Sequence, residues 1–490
     1  MTQSVLLRAR VPALALVLTV PIACSDDGGA TTGESEAASE TSASLTGDGD
    51  GDATTTTGDG DGDPTTTTGD GDGEPATGDG DGDPTGDGDG DGIDCGPIGE
   101  PPPEGPIVMV TPADANMLPQ MVGNAEPNTT FSFADGTYDL SNANLLHVTT
   151  PGLRFVGASN DRDAVILDAN YGIGEIFLVA ASNTTIAHMT VQRAFWHPIH
   201  VTGGSDANTL NTIIHDVAVI DPGQQAIKIN ASGAGYYSDE GRVSCSAVIM
   251  TDAGRPNVDN CYTGGIDAHS AWGWVVRDNY FEGFWCDQGL SEHAVHFWVT
   301  GRDTLVERNT IVDCARGVGF GLGANGNGNE RVYDDEPCPD ADYLGHVDGV
   351  IRNNMIVATR PELFASQFGF DSGVALEQAC GAVVAHNSVV STETPFVSME
   401  YRFPNTDATI INNLTTHQIM MRDGGQANLY ANMEGEGLDH FVDVGSGDLH
   451  LVDGSSAISA GDGLGNEVAA TDFDGEMRDI LPDVGADERL

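Results

Sequence analysis

A short alternating pattern recurs seven times between Trp196 and Glu400. A typical copy has a small residue, an apolar residue, a variable residue, a second apolar residue and a second variable residue. The copies occupy residues 198–202, 226–230, 265–269, 294–298, 317–321, 373–377 and 396–400. Alternation with a period of two predicts a strand with one buried face. Repetition every few tens of residues predicts that these strands belong to a solenoid of stacked coils.

Stacking the copies in register places their side chains in columns. The column predicted to be buried contains Ile199, Ile227, Ile266, Val295, Val318, Val374 and Val397. The column predicted to face outward contains His200, Lys228, Asp267, His296, Gly319, Ala375 and Ser398. Four consecutive strands of the second column carry a titratable side chain, and clusters of such groups are candidates for functional sites.

A second pattern places an asparagine after a short, mostly apolar run. The asparagines are Asn279, Asn309, Asn354, Asn387 and Asn413, with separations of 30, 45, 33 and 26 residues. Asparagine tolerates a left-handed backbone and hydrogen-bonds within tight turns. We therefore expect the five residues to stack at one bend, where each amide also bonds to the neighbouring coils.

Together, these two patterns resemble those of right-handed parallel β-helix proteins of the pectate-lyase-like superfamily, whose members carry asparagine ladders at one bend. The resemblance covers about residues 107–490 and implies an all-β fold. A short helix within residues 113–125 is expected to cap the first coil, and residues 449–490 resemble a closing structural segment. The superfamily includes lyases, hydrolases, esterases, epimerases and non-catalytic adhesins, so the fold alone does not identify an activity.

Two segments precede the predicted β-helix domain of residues 107–490. Residues 1–24 have a basic start, a short apolar run and Cys24, and resemble a bacterial lipoprotein signal. This resemblance implies export and a lipid anchor on Cys24 in the cell envelope, with plain secretion as the alternative. Residues 25–106 are rich in Gly, Asp and Thr, and this composition predicts a disordered, extended linker.

The charge balance limits the choice of partner. The sequence has 75 Asp and Glu against 19 Lys and Arg, a formal net charge of −56. Nucleic-acid binding is disfavoured because it requires cations against phosphate. An acidic surface also repels polyuronates at long range, unless the cleft itself is basic.

Cysteines and loop lengths predict a walled cleft. Three long loops precede the strands at Ile266, Val295 and Val374, and they should lie side by side on one flank of the outward column. Six cysteines follow the linker, and disulfides that hold these loops are expected. A fourth loop is acidic between Asp334 and Asp342, and calcium is a possible ligand there.

The resemblance implies that the outward face acts on a sugar polymer. A lyase must neutralise a uronate carboxylate, remove the C5 proton and protonate the leaving oxygen. The candidate catalytic residues are Lys228, His269, His296 and Arg316. The candidate substrate-binding residues are His200, Asp267, His293, Trp298 and Glu377. A column of small residues, including Gly265 and Gly373, is predicted to leave room for the ligand.

Three functions remain open at this point, and a fourth, hydrolysis, ranks below β-elimination. β-Elimination of a uronate-containing polysaccharide is the leading hypothesis. Hydrolysis ranks lower because only Asp267 supplies a carboxylate in the column, whereas glycosidases use a pair. The alternative is a non-catalytic module for glycan binding or surface interaction, and the third hypothesis is a structural spacer. The resembling lyases place Lys or Arg bases on adjacent coils, but their complete motifs are not reproduced in this sequence.

Overall fold

A computed structural model describes residue 98 and residues 104–258, 260–323, 331–339 and 341–489. The predicted signal segment, its Cys24 and nearly all of the predicted linker lie outside these residues. Among the helices that the structure does describe, none is long and apolar enough to cross a membrane.

One face of the described solenoid is a parallel sheet of ten strands. Its strands are Leu146–Val148, Glu175–Val179, His197–Thr202, Gln225–Asn230, Gly264–His269, Val295–Trp298, Arg316–Phe320, Ser372–Glu377, Val397–Arg402 and Ile419–Arg422. They follow one another in chain order, so each coil contributes one strand to the sheet. We call this sheet the site sheet, because it carries the predicted outward column.

A second parallel sheet has 23 strands within the described ranges and runs along the remaining faces. It is continuous because long strands such as Ile213–Ile220 pair with two separate strands of the next coil. Its strands are Ile107–Val110, Thr130–Phe133, Gly136–Asp139, Arg154–Gly157, Val165–Asp168, Thr185–Gln192, Ile213–Ile220, Arg242–Ser244, Ala247–Ile249, Val275–Arg277, Tyr280–Glu282, Gly301–Arg302, Leu305–Glu307, Thr310–Val312, His346–Val347, Val350–Arg352, Met355–Ala358, Ala379–Ala385, Ser388–Ser391, Asp407–Ile411, Leu414–Thr415, Gln426–Tyr430 and Met433–Glu434. The predicted parallel β-helix is thereby confirmed.

The other elements are short. A parallel pair joins Thr209–Leu210 to Ser238–Asp239, and an antiparallel pair joins Phe441–Asp443 to Asp448–Leu451. The α-helices of the described chain are Leu118–Gly123 and Pro361–Ala365. Its 3-10 helices are Pro112–Met117, Arg255–Asn257, Leu438–His440, Val444–Ser446 and Gly463–Glu467.

The predicted register holds for six of the seven repeats. Ile227 pairs with Ile199 and Ile266, and the column continues through Val295 and Val318 to Val374. The prediction fails at the last strand, where Val374 pairs with Met399. Val397 and Ser398 are therefore two positions out of register, and Glu400 continues the outward column. The apolar alternation continues from Val397 through Met399 to Tyr401, so the pattern alone did not distinguish the two registers.

The asparagine ladder is confirmed. Backbone and side-chain amides of Asn279 donate to Oδ1 of Asn309, and the same pair of hydrogen bonds repeats down the column through Asn354 and Asn387 to Asn413. Asn432, which the sequence pattern missed, accepts the last pair. The left-handed backbone was predicted for the asparagines themselves, but it belongs to the residue before each, such as Asp278 with φ 57° and Arg308 with φ 51°.

Apolar side chains fill the inside of the coils. Stacked rings such as those of Phe131 and Phe155 continue the core from coil to coil. The predicted capping helix forms as a 3-10 turn and then an α-helix, and it buries Leu118 and Val122 against this core. Covering the first coil in this way removes apolar surface from water at an otherwise open end.

The closing segment packs against the side of the solenoid. Leu449, Leu451 and Val484 share a second apolar cluster with residues of four successive coils. Those coil residues are Val312, Met355, Val357, Val390 and Leu414. Arg478 is buried in the segment, where it pairs with Glu488 and donates to Oδ1 of Asn353. The segment is therefore structural, as predicted, and it covers the outer face of these coils.

Two disulfide bonds have both of their cysteines in the described chain. Cys261 pairs with Cys286, and Cys338 pairs with Cys380. Cys245 is also disulfide-bonded. Cys314 is a buried free thiol, so its expected disulfide does not form. It follows the strand Thr310–Val312 and is part of the buried core of the coils.

Candidate functional site

Lys228 and Asp267 form a buried ion pair on the outer surface of the site sheet. They are register partners on neighbouring strands, and Nζ of Lys228 donates a hydrogen bond to Oδ2 of Asp267. Only 8% of the Lys228 side chain and 1% of the Asp267 side chain are exposed. A charge that is removed from water is costly without a partner, so each of these residues stabilises the other.

The pKa of Lys228 is raised and the pKa of Asp267 is lowered from their ordinary values. Burial acts to lower the pKa of Lys228, but the negative charge of Asp267 and the hydroxyl of Tyr262 outweigh burial and raise it. Burial acts to raise the pKa of Asp267, but Lys228 and His269 hold that pKa well below its usual range. Both residues are therefore charged at neutral pH. Lys228 does not act as a base there, and Asp267 has no proton to donate.

Two partly exposed side chains cover the ion pair. Nε2 of His269 lies 3.0 Å from Nζ of Lys228 and 3.3 Å from Oδ1 of Asp267. The hydroxyl of Tyr262 lies 3.5 Å from the same Nζ and 3.4 Å from Oδ2 of Asp267. The exposed fractions are 27% for the His269 side chain and 37% for Tyr262. These two groups are the part of the cluster that a substrate can reach.

The hydroxyl of Tyr262 keeps its proton at neutral pH. Burial raises its pKa to about 12, and the carboxylate of Asp267 adds to this rise. A hydroxyl that stays protonated beside a fixed ion pair has a proton available for a leaving oxygen. His269 offers an imidazole, and histidine is the side chain that most often accepts a proton in catalysis.

Trp298 and His296 support the cluster from one side. Nε1 of Trp298 donates to Oδ1 of Asp267 at 2.6 Å. The ring of His296 stacks on Trp298 with centroids 5.3 Å apart, and His269 meets the same indole edge-on at 4.4 Å. His296 is fully buried, and its Nε2 lies 3.0 Å from the carbonyl oxygen of Gly321. These contacts fix the orientation of Asp267.

His293 lies beside His296 in a space that Gly319 leaves. The two imidazole centroids are 4.4 Å apart, and a Cβ on Gly319 would lie only 2.6 Å from Nε2 of His293. Burial, together with the charges of His296 and Arg316, holds the pKa of His293 well below its usual range. His293 is therefore neutral at physiological pH. Within the described part of the chain, neither of its ring nitrogens has a hydrogen-bond partner.

The column of small residues does not open a space for ligand. A Cβ on Gly265 would lie 2.8 Å from the ring of Phe281, and one on Gly373 would lie 2.4 Å from Val389. Both contacts are with the core, so these positions are small because the interior is closely packed. The prediction that they make room over the sheet is wrong. The glycine in the outward column, Gly319, does leave a space over the sheet, but the ring of His293 occupies that space.

The remaining predicted residues make other contacts. His200 is the register neighbour of Lys228, and its ring nitrogens bond to Glu175 at 2.6 Å and Asn230 at 3.1 Å. Arg316 pairs with Asp371 at 2.9 Å. Glu377 accepts from the backbone of Gly323 and lies 3.7 Å from Arg402.

Glu377 belongs to a separate charged group farther along the sheet. Arg402 also approaches Glu400 to 4.0 Å, and Arg422 pairs with Glu400 at 2.5 Å. Burial raises the pKa of Glu400, although Arg422 opposes this rise. The structure therefore brings together Lys228, Asp267, His269 and Trp298, with His293 and His296 behind them. It places Arg316 and Glu377 in other ion pairs.

Two of the three loops that were predicted to form walls are joined beside the cluster. The disulfide between Cys261 and Cys286 joins the loops that precede strands Gly264–His269 and Val295–Trp298. Tyr262 follows Cys261 directly, so this bridge helps to hold its hydroxyl over the ion pair. A depression of about 550 Å³ lies elsewhere, between the loops at Phe364–Phe370 and Glu393–Phe396. None of the residues that line it belongs to the cluster.

The acidic loop shows a different use of its carboxylates. Asp335 forms a bidentate pair with Arg302 at 2.8 Å, and Asp342 accepts from Asn405 at 3.0 Å. These oxygens point to separate partners, so the described part of the loop provides no convergent set of the kind calcium requires.

Sequence reasoning missed two residues of this region. Tyr262 and Glu292 lie on loops before their strands, where the alternating pattern gives no register. Tyr262 comes immediately after a cysteine, and Glu292 comes immediately before His293. The only available signal was this adjacency, because a loop residue's spatial neighbours depend on the path of the loop.

Comparisons with solved structures find sugar-polymer enzymes at low similarity. An alginate lyase from Paenibacillus sp. str. FPU-7 is 12% identical with a TM-score of 0.38, over 66% of this chain and 99% of that chain. A polygalacturonase from Erwinia carotovora ssp. carotovora is 10% identical with a TM-score of 0.33, over 67% of this chain and 95% of that chain. A rhamnogalacturonan lyase is 11% identical with a TM-score of 0.32, over 76% of this chain and 95% of that chain. No protein-family model and no curated protein sequence matches the chain.

Proposed function

We propose that this chain is a polysaccharide-acting enzyme that cleaves a uronate-containing glycan by β-elimination. The observation that carries the proposal is the buried Lys228–Asp267 pair, covered by a reachable imidazole and a reachable phenol. β-Elimination needs one group that accepts the C5 proton and another that protonates the leaving oxygen. His269 and Tyr262 have these two capacities and share the same two partners.

Each residue of the cluster has a distinct role in this proposal. His269 accepts the C5 proton, and Tyr262 donates its hydroxyl proton to the oxygen that leaves C4. Lys228 and Asp267 are positioning residues, because their charges are locked together and their pKa values keep them charged at neutral pH. His296 and Trp298 hold Asp267 in place and do not contact the substrate in this scheme.

The protonation states favour elimination over hydrolysis. A glycosidase needs a protonated carboxylic acid as its proton donor and a second carboxylate across the scissile bond. Asp267 is fixed in its charged form by Lys228 and His269. The proton donor that the cluster offers is a phenol.

One observation favours the alternative, a glycan-binding module without catalysis. Lys228 and Arg316, the cations predicted to neutralise the substrate carboxylate, already have carboxylate partners within the protein. A binding module would use the same reachable tyrosine and histidine for hydrogen bonds and would leave the glycan intact.

A polysaccharide screen separates these functions. The purified chain is incubated with alginate, polygalacturonate and neutral glycans, and two readouts are recorded. The first is the ultraviolet absorbance of an unsaturated uronate, and the second is binding by calorimetry. A β-eliminating enzyme gives absorbance with at least one acidic glycan. Binding without absorbance favours the binding module, and neither signal across the panel overturns both functions.

We also propose that the chain is exported and anchored through a lipid on Cys24. The support is the signal-like composition of residues 1–24 and the long acidic segment behind them. Acyl chains supply the membrane affinity of such an anchor. Cys24→Ser should move the protein from the membrane fraction to the soluble fraction of the producing cell, and unchanged membrane association would contradict the proposal.

A further inference from the structure

Three potential metal ligands meet at the start of one strand of the site sheet. They are Glu292, His293 and His296, and their ligand atoms all lie within 4.8 Å of one another. Oε2 of Glu292 and Nδ1 of His296 are 3.2 Å apart. Two of the three side chains are almost completely buried, with exposed fractions of 2% for His293 and 0% for His296.

His293 has ring nitrogens that need partners. Both are buried, and neither makes a hydrogen bond to any residue that the structure describes. Buried polar side-chain atoms nearly always have a partner, so an imidazole with two open nitrogens requires a reason. The space it occupies exists because residue 319 is glycine, since any larger residue would meet the ring.

His296 is oriented as a metal ligand. Its Nε2 lies 3.0 Å from the carbonyl oxygen of Gly321, and only a protonated nitrogen can donate to a carbonyl. Nδ1 of His296 faces the carboxylate of Glu292 at 3.2 Å; a proton on Nδ1 makes this contact a hydrogen bond, and a metal ion would take the place of that proton. A backbone carbonyl that fixes the tautomer of a ligating histidine is a usual feature of metal sites.

We propose that Glu292, His293 and His296 bind a divalent transition-metal ion of the Zn²⁺ class. Zinc takes His nitrogens and carboxylate oxygens at about 2.0–2.2 Å in tetrahedral geometry, which separates neighbouring ligand atoms by about 3.3 Å. Glu292 and His296 are already at such a separation, 3.2 Å, and the ligand atom of His293 lies within 4.8 Å of both. Three protein ligands leave a fourth position open for water or another small ligand. The two nitrogens disfavour calcium, which prefers oxygen ligands.

Another cluster of possible ligands provides a contrast. His450 lies near Asp474 and Asp487, but both of its ring nitrogens already bond to carboxylates, at 2.6 Å to Asp448 and 3.0 Å to Asp474. Hydrogen bonds and ion pairs within the protein account for that arrangement, so we assign it no metal.

Metal titration of the full chain tests this inference without depending on the proposed function. The protein is stripped with a chelator after any histidine tag is removed, and then titrated with Zn²⁺ by calorimetry. Co²⁺ is added in a parallel experiment, because its visible absorbance reports the coordination geometry. We expect saturable Zn²⁺ binding and tetrahedral-type Co²⁺ absorbance, with no Ca²⁺ binding that competes with Zn²⁺.

Matched variants locate the ion. Glu292→Gln and His293→Ala should each weaken Zn²⁺ binding by more than about tenfold, since even supporting residues of metal sites have effects of that size. His147→Ala, at an exposed histidine on the same sheet, should leave binding unchanged. Circular dichroism checks that each variant is folded, and the partly exposed Glu292 makes Glu292→Gln the milder change.

Three results would overturn the inference. The first is a wild-type chain that binds no Zn²⁺, which would leave a proton between Glu292 and His296. The second is undiminished binding in folded Glu292→Gln. The third is binding that disappears in His450→Gln, which would place the ion at the other cluster.

Discussion

At the scale of single residues, burial decides which groups of the site can exchange a proton with a substrate. Lys228 and His296 were both candidate catalytic residues, yet their side chains are withdrawn from solvent. His269 and Tyr262 remain partly exposed above the ion pair. The reacting groups in the proposed mechanism are therefore one predicted residue and one that the sequence pattern did not reveal.

Removal of one hydroxyl tests the proposed proton donor. Tyr262→Phe should lower the turnover of a uronate glycan by roughly a hundredfold to ten-thousandfold, because general acid catalysis contributes about that much. The phenyl ring remains, so the melting temperature should stay nearly constant. Tyr430→Phe, at an exposed tyrosine on the other sheet, is the matched control. Equal rates for the two variants would exclude Tyr262 as the proton donor.

Lys228 should contribute to stability as well as to activity. An exposed lysine would cost little to replace, but Lys228, although it belongs to the predicted outward column, is buried against Asp267. Lys228→Met should lower the free energy of unfolding by about 3–5 kcal/mol, the cost of leaving a buried charge without its partner. Urea denaturation measures this change.

The double variant shows whether the loss of stability comes from the unpaired charge of Asp267. Lys228→Met with Asp267→Leu removes both charges and should recover a large part of the stability. A single variant as stable as the wild type would show that the pair is solvated.

At the scale of elements, repetition made the sequence informative. Each coil repeats the same backbone path, so one register error affects one strand, as at Val397 and Ser398. Loops do not repeat, and the sequence could predict only that they wall one flank. The ladder was predictable because each asparagine performs the same task in every coil. The contacts of Tyr262 and Glu292 were not, because they depend on loop paths between coils.

Substitution of an asparagine should cost the most stability at the centre of the ladder. The side-chain amide of Asn309 donates to the carbonyl oxygens of Val276 and Glu307 and to Asn354, while its Oδ1 accepts from Asn279. Asn309→Leu leaves several buried groups unpaired, at about 1–3 kcal/mol each. Asn432→Leu, at the partly exposed end of the ladder, should cost less. Thermal denaturation compares the two, and equal losses would contradict the stacked arrangement.

The two described disulfides should differ in their effect on activity. Replacing Cys261 and Cys286 by serine should lower turnover as well as stability, because Tyr262 is then held less firmly. Replacing Cys338 and Cys380 should lower stability alone, since no contact joins that bridge to the cluster in the described chain. Typical stability losses are about 2–4 kcal/mol. Turnover at a temperature where both variants are folded provides the comparison, and equal turnover would contradict the role of the first bridge.

At the scale of the whole molecule, buried histidines predict acid sensitivity. Burial lowers the pKa of His197 and His346 to about 3, and it holds those of His293 and His386 well below the usual range. A folded-state pKa below the unfolded value of 6.5 means that the unfolded chain binds more protons in this window. The stability that these neutral buried histidines contribute is therefore fully present above about pH 6.5. It decreases as the pH falls below that value.

Denaturation at several pH values measures this loss. Each such histidine should reduce the unfolding free energy by up to about 1.4 kcal/mol for each pH unit below 6.5. Asp472, whose pKa burial raises to about 6, offsets part of the loss because it binds a proton in the folded state. His197→Gln should have a shallower pH dependence than the wild type. A stability profile that is flat from pH 7 to pH 4 would contradict the burial of these histidines.

The most direct test of the central claim is the fate of water during cleavage. The chain is incubated with an acidic glycan in water labelled with heavy oxygen, and the products are analysed by mass spectrometry. β-Elimination breaks the glycosidic bond without adding water, so we expect a double bond at the new non-reducing end. Because the anomeric oxygen of a reducing end exchanges with water, the products are reduced with borohydride at an early time and compared with an uncleaved reducing sugar in the same water. Heavy oxygen above that exchange level, with no double bond, would identify hydrolysis and contradict the assignment of His269 and Tyr262 to β-elimination.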